Sequence, residues 1–409
     1  MLNMVEKVVS LHLKNIRICA TSRPEADIRA ALARFASHAI SLDNEDGQRK
    51  DITDYIKFIV YSDPNMRKWR VEEKEMVIRS LSRKADGMYV ITIKPGRNGA
   101  HSIVRFRWTV CQLEALRNSF PSAIHRALDD LPESLDETYN RILLSIAQER
   151  REYAQRLLQC LAVSIRPLRV EELAEVLAIR FEAGKQPDYD VKWRPENSED
   201  AVLSACSSLI SIVDLDGLRV VQFSHFSVKE YLISERLASA GNHLSRYHIV
   251  PYQAHTILAQ ASLTVLLALD DLVYKDRMKN FPLIIYAARH WADHARFDNV
   301  FSNLVDPLER LFDPSKPHFA TWVWVYDIDY PFREIMSAER PTPPEAAPLY
   351  YATLCGFRDL VEHLVDTCPQ GVNARGGYHC SPLHAATIKG NIDVTTYYLF
   401  IYLFLNRIL

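Results

Sequence analysis

The feature that most constrains this chain is a change of hydrophobic period within residues 218–237. Leu218 to Phe223 is apolar and β-branched and follows Asp214-Leu-Asp-Gly217, which predicts the second strand of a short hairpin. From Ser227 the period becomes helical, with Val228, Tyr231, Leu232 and Leu237, and Ser227 with Glu230 predicts a capping box. His225 stands at the switch from strand to helix, where a side chain can leave the packed layer. It reads either as a hydrogen-bonded packing histidine or as a group that meets a ligand.

Upstream, Ala154 to Ser164 and Val170 to Ala178 read as helices around the turn Ile165-Arg-Pro-Leu-Arg169. Helix, turn, helix and hairpin in that order predict a winged helix over residues 151–237. Its second helix carries Glu171, Glu172 and Glu175, charges that would repel a phosphate backbone, so nucleic acid is not an expected partner. Trp193 reads as a local packing anchor in a polar loop.

Near-balanced charge, Lys+Arg 49 against Asp+Glu 51, gives no field that favours nucleic acid or an anionic membrane. Gly is scarce at 12, and Leu and Ala recur at helical spacing, which predicts a mainly α protein. The 7 Cys include no C-x-x-C pair and read as reduced thiols of a cytoplasmic protein. No run of about 18 apolar residues predicts a membrane span. His290 and His294 have zinc-binding spacing, but no third ligand accompanies them, and no metal is expected. Trp322, Trp324, Tyr326 and Tyr330 read as one aromatic cluster.

The Pro-rich segment 341–348 is a boundary. Beyond it, Ala347-Pro-Leu-Tyr-Tyr-Ala-Thr-Leu-Cys-Gly356 recurs thirty-four positions on as Ser381-Pro-Leu-His-Ala-Ala-Thr-Ile-Lys-Gly390. Pro348 and Pro382 would start helices, Leu349, Ala352, Leu383, His384 and Ala385 would pack them, and Gly356 and Gly390 would close the turns. Val394 to Leu405 is apolar on every side, unlike the second helix of such a repeat, and reads as a sticky contact. At the other end, Val5 to Leu13 reads as a helix, and residues 16–21 and 38–42 as strands. Arg23 follows the first of these at the carboxyl end, where open α/β sheets bind ligands. No G-x-x-x-x-G-K-[ST] loop occurs to cradle phosphates, so ATP hydrolysis is not expected and no cofactor is implied.

Phe223-Ser-His-Phe-Ser-Val-Lys-Glu-Tyr-Leu232, Leu131-Pro-Glu-Ser-Leu-Asp-Glu-Thr-Tyr139 and the thirty-four-residue repeat resemble fungal NACHT proteins (STAND NTPases) with ankyrin repeats. The resemblance implies an N-terminally truncated relative. Residues 1–50 would be the remnant of a parallel α/β NTPase core and 51–150 a helical module. The winged helix would follow at 151–237, a helical linker at 238–340, and about two ankyrin repeats, the second incomplete, at 341–409. It implies phosphate contacts for Arg23 and His225, with ATP or ADP bound only if a longer product supplies the phosphate loop. Tyr89 to Arg105 departs from the pattern, because in the family Asp86-Gly-Met88 would run straight into Phe106-Arg-Trp108. A retained intron or a surface loop would account for this turn-rich insert, which belongs to neither flanking helix.

The function expected is a noncatalytic interaction or regulatory scaffold, meeting a protein through the ankyrin repeats. A nucleotide-dependent switch in a full-length form and a nucleic-acid-binding winged helix are the alternatives.

Overall fold

The structure is a computed structural model. It describes residues 45–86 and 100–404 apart from 118, 183, 270–274, 334–335, 337 and 368, together with 7–11, 17–18, 31–32 and 35. Arg23, most of the expected α/β remnant and residues 89–99 of the expected insert lie outside those residues. The architecture is mainly helical with a few short strands. It divides into two units, Met1–Ser145 and Ile146–Leu409.

In the first unit, α1 (Glu45–Ser62), α2 (Val71–Asp86) and α3 (Ala100–Leu116) pack on one another, followed by α4 (Ile124–Asp129) and α5 (Leu135–Ser145). Ile52, Ile56 and Val60 recur four apart on α1 and are buried against Val77, Ile78 and Leu81 of α2 and the rest of this core. Buried indoles are satisfied by backbone: Trp69 Nε1 donates to the Ser119 carbonyl at 3.1 Å and Trp108 Nε1 to that of Pro132 at 3.0 Å. Ser134 caps α5, accepting the Glu137 N–H at 3.1 Å, while the Glu137 carboxylate accepts the Glu133 N–H at 2.9 Å. Residues 100–105, the end of the stretch expected to belong to neither flanking helix, form the first turns of α3.

The second unit begins with α6 (Arg151–Val163), β1 (Leu168–Arg169) and α7 (Val170–Glu175), the last extended by a 3-10 turn at Val176–Ala178. A small ribbon of β2 (Ile179–Arg180) and β3 (Asp188–Tyr189) follows, then a helix the periodicity did not announce, α8 (Ser198–Cys206). β4 (Ile210–Leu215) and β5 (Leu218–Phe223) form the expected hairpin, and β1 adds to β5 in an antiparallel sheet of order β1-β5-β4. The two-residue turn works because Asp216 (φ 52°) and Gly217 (φ 79°) both take the left-handed conformation. The Asp214 carboxylate braces it by accepting the Gly217 N–H at 2.9 Å. So the module is helix–strand–helix–helix–hairpin, with three helices rather than two.

After α9 (Phe226–Leu232), α10 (Glu235–Ala238) and α11 (Asn242–Ser245), the long α12 (Pro251–Leu267) packs along α13 (Ile284–Ala295) and against α6. α14 (Val305–Phe312) and α15 (His318–Val325) complete this layer. The expected aromatic cluster divides. Trp322 enters the core with Trp291 at 5.3 Å and Phe312 at 5.6 Å between centroids. Trp324 instead donates to the Ala338 carbonyl at 3.0 Å, Tyr326 lies under Arg289, and Tyr330 packs edge-on to Tyr378.

Two helix pairs end the described chain: α16 (Pro348–Cys355) with α17 (Arg358–Thr367), and α18 (Pro382–Lys389) with α19 (Ile392–Phe404). α18 stacks on α16 and α19 on α17, so the thirty-four-residue offset is realised as a translation of one pair onto the next. Pro348 and Pro382 occupy first-turn positions, where their missing N–H costs nothing. Gly356 and Gly390 end α16 and α18 in the left-handed conformation, at φ 80° and 71°. Leu349, Ala352 and Ala385 are buried, Leu383 is half-buried and His384 is exposed, its N–H donating to the capping Ser381 hydroxyl at 3.4 Å. The apolar segment expected to be unlike a repeat helix is α19, one face of which (Val394, Tyr398, Ile401) is buried.

Candidate functional site

β5 ends where Ser224 turns the chain, donating its N–H to the Leu209 carbonyl at 3.0 Å and its hydroxyl to that of Ser208 at 2.7 Å. His225 then takes an extended conformation and becomes the N-cap of α9. Its Nδ1 accepts the Ser227 N–H at 3.2 Å and lies 2.6 Å from the Ser227 hydroxyl, with the ring against Phe226 at 4.2 Å. The cap is therefore the imidazole and not Ser227, because the helix starts two residues earlier than a Ser227 cap would place it. An imidazole nitrogen does the work of a Ser or Asp oxygen.

The acidic second helix is not an acidic surface. Glu172 and Glu175 on α7 are each 0 % exposed. Glu172 accepts a bidentate pair from Arg166 at 2.8 and 2.7 Å, the Arg169 N–H at 2.8 Å and Arg169 Nε at 3.0 Å. Burial pushes its carboxyl up, and the hydrogen bonds from Arg166 and the Arg169 backbone outweigh that and hold it below the usual carboxylate range. Glu175 accepts from Arg194 Nε and Nη2 and from the Tyr189 hydroxyl, all at 2.6 Å. The expected electrostatic repulsion of phosphate by this helix thus has the wrong cause: only Glu171 reaches solvent. α8, the helix that directly precedes the hairpin, carries Glu199 and Asp200 and no Lys or Arg.

Beside this network lies a cleft of ≈ 700 Å³ between α6, the β2–β3 ribbon and α8. Tyr153 and Arg156 face it from α6, Phe181 and Arg180 from the ribbon, Trp193 from the turn after β3, and Ala201, Ser204 and Ala205 from α8. Arg156 is held by Glu152 and by the Phe181 carbonyl at 3.4 Å, its guanidinium over the Phe181 ring at 4.7 Å. Arg180 lies over Trp193 at 4.7 Å and pairs with Glu182 at 3.4 Å and Asp188 at 3.1 Å. Arg150 reaches across to the Ser204 carbonyl at 3.3 Å. Sequence reading singled out Trp193 but missed the arginines. The only local signal was the i,i+3 pair Tyr153 and Arg156, since the other walls come from α8 and a ribbon of two-residue strands.

His290 and His294 have separate partners. His290 turns to Asp293 at 3.1 Å, while His294 is buried between Tyr286 and His255 of α12. The Tyr286 hydroxyl accepts the Ile165 N–H at 3.2 Å and lies 2.9 Å from His294 Nε2. His294 Nδ1 lies 2.8 Å from His255 Nδ1. Donation from Tyr286 to Nε2 leaves the His294 proton on Nδ1, facing the His255 acceptor. Burial, then the neighbouring histidines, lowers the His294 pKa to about 3; burial also lowers that of His255. Among the described residues no group of three His, Cys, Asp or Glu side chains could hold a metal ion, and no helix is long and apolar enough to cross a membrane.

At the last described helix pair the translation leaves one side open among the described residues. Leu354 and Val365 in the first pair are 3 % and 7 % exposed, but the residues thirty-four positions on, Ile388 and Leu399, are 64 % and 50 % exposed. Ile392 and Phe400 are exposed too, as are Arg358 and Asp366 thirty-four positions before them. Gly356 is packed against the Asn391 side chain, whose Nδ2 donates to the Thr353 and Leu354 carbonyls at 2.8 and 3.3 Å. Gly390 has nothing within 4 Å of the corresponding point among the described residues.

Residues 141–241 match the family described as the GPI inositol-deacylase winged helix domain. The helix–strand–helix–helix–hairpin module is a winged-helix domain. Over 287 residues the chain is 31 % identical to the azaphilone pigments biosynthesis cluster protein L of Monascus ruber, a match that covers 65 % of this chain and 59 % of that protein. No solved structure matches the chain. His225, the buried ion pairs of α7 and the arginine–aromatic cleft all belong to the winged-helix domain.

Proposed function

We propose that the protein is a noncatalytic interaction or regulatory scaffold, a relative of the STAND NACHT–ankyrin switches that works by presenting surfaces. The observation that carries this is the open side of the last helix pair. Ile388 and Leu399 are exposed apolar residues at positions that the preceding pair covers, and Ile392 and Phe400 of α19 are exposed as well. Proline-started helices ended by left-handed glycines and repeating every thirty-four residues support ankyrin-type repeats at 341–409. On this reading the open side receives a further repeat or a protein partner. A role beside a biosynthetic enzyme set, as the relative's name suggests for that protein, would then be one of contact and not of turnover. Buried free thiols at Cys111, Cys160, Cys206 and Cys355 support a reducing compartment such as the cytoplasm.

The second reading, a nucleotide-dependent switch, draws on His225, whose place at the strand-to-helix switch matches a phosphate-sensing position in the proteins it resembles. Nucleic-acid binding is the weakest reading, because α7 is enclosed and α8 offers two acids and no cation.

Photocrosslinking tests the scaffold reading. A benzophenone side chain at Phe400, compared with one at exposed Tyr252 on α12, should give one discrete protein adduct in the source cells. The adduct should be lost with Ile388→Asp. Equal or absent crosslinking at both positions would overturn it.

A further inference from the structure

We propose that the winged-helix cleft binds a small organic acid with a flat apolar body and one carboxylate. This inference is independent of the scaffold reading, since it concerns residues of the winged-helix domain and not the terminal helix pairs. The cleft's ≈ 700 Å³ falls in the range of small-molecule sites, roughly 300–1,000 Å³. Its walls are flat and apolar where Tyr153, Phe181 and Trp193 line it, and its floor is Ile179 and Ala205, both buried. Such walls suit a ring system, which can lie against aromatic faces and shed water from both sides.

Charge selects the other end of the ligand. Three arginines, Arg150, Arg156 and Arg180, face two carboxylates, Glu152 and Glu182, so the lining carries one positive charge in excess. Arg156 is spoken for: its side chain is 9 % exposed and ion-paired with Glu152. Arg180 is held by Glu182 and Asp188 over Trp193. Arg150 differs, because the partner the structure gives it is a neutral carbonyl, that of Ser204. A guanidinium at the rim, anchored by one N–H, keeps a fork that can take a carboxylate through two parallel hydrogen bonds. The ligand's body would lie against Trp193 and Phe181 and its carboxylate would exchange the Ser204 carbonyl for itself on Arg150.

Isothermal titration calorimetry on the full chain tests this, with 2-naphthoate as the probe and 2-naphthylmethanol as its neutral counterpart. Saturable one-to-one binding of naphthoate is expected, with the alcohol weaker by at least about tenfold, the worth of one charge-assisted hydrogen bond. Arg150→Glu should weaken naphthoate by about tenfold or more and leave the alcohol unchanged. Ser204→Trp, at an exposed position on α8, should fill the cleft and abolish both. Thermal unfolding of both variants checks the fold, and if Ser204→Trp is destabilised, Arg150→Glu decides alone. The proposal is overturned by an absence of saturable heat with naphthoate, by equal binding of acid and alcohol, or by indifference to Arg150→Glu. An acetylated tripeptide with a free C-terminal Trp that binds more tightly than naphthoate also overturns it, and assigns the cleft to chain ends.

Discussion

The winged-helix domain and the terminal helix pairs solve opposite problems. In the first, charge is buried and matched: Glu172 and Glu175 are enclosed, and each is saturated by guanidinium and hydroxyl or amide donors. In the second, apolar surface is repeated and only half matched. One pair covers the last, and the same positions then meet solvent at Ile388 and Leu399. Residue type alone therefore misleads in both places. Glutamates that look like a solvated face are interior, and a tail that is apolar on every side is a helix with one face buried and another exposed.

The largest effect should come from breaking a matched charge. Glu175→Ala leaves Arg194 and the Tyr189 hydroxyl without their acceptor and should cost about 3 kcal/mol in urea unfolding, the low end because Arg194 keeps some access to water. A loss under about 1 kcal/mol would show that water replaces the carboxylate, and the contrast with the repeats would weaken.

On the other side, Leu354→Ala should cost about 3 kcal/mol and Ile388→Ala under about 0.5, although the two residues occupy equivalent positions. Equal losses would mean that Ile388 is already covered in solution. The glycines sharpen the same point. Gly390→Ala should cost about 1 kcal/mol for left-handed strain alone. Gly356→Ala should cost about 2, since its Cβ would come within 2.7 Å of Asn391 and displace that side chain from two carbonyls.

A pH effect separates the histidine relay from both regions. His294 and His255 are neutral in the fold, with pKa values below the ordinary histidine range, so the unfolded chain binds protons first as the pH falls. Stability is fully present above about pH 6.5 and should fall by about 1.4 kcal/mol per pH unit for His294 on the way down. His294→Phe should remove most of that slope, and an unchanged slope would place the titration elsewhere.

Much of the fold was legible where one period dominates. The hairpin 210–223 announced itself through Asp-Gly between apolar strands, and the helix pairs through proline, glycine and spacing. α8 was missed because Ser198–Cys206 is short, and its buried Val202, Ala205 and Cys206 are only a narrow stripe. The cap of α9 was misplaced because a Ser three residues before a Glu is the commoner signal, and a histidine cap has no sequence signature of its own. The cleft was not legible, since its walls come from four segments that only the tertiary fold brings together. The apolar character of α19 was read correctly but its packing was not, because a helix can bury Val394, Tyr398 and Ile401 and still be apolar outside.

The central claim is that the chain works by presenting surfaces and does not act on nucleotide. Calorimetric titration of MgATP and MgADP into the purified chain tests it most directly. The account predicts heats of dilution alone, identical in His225→Ala. Saturable, magnesium-dependent binding that His225→Ala removes would contradict it.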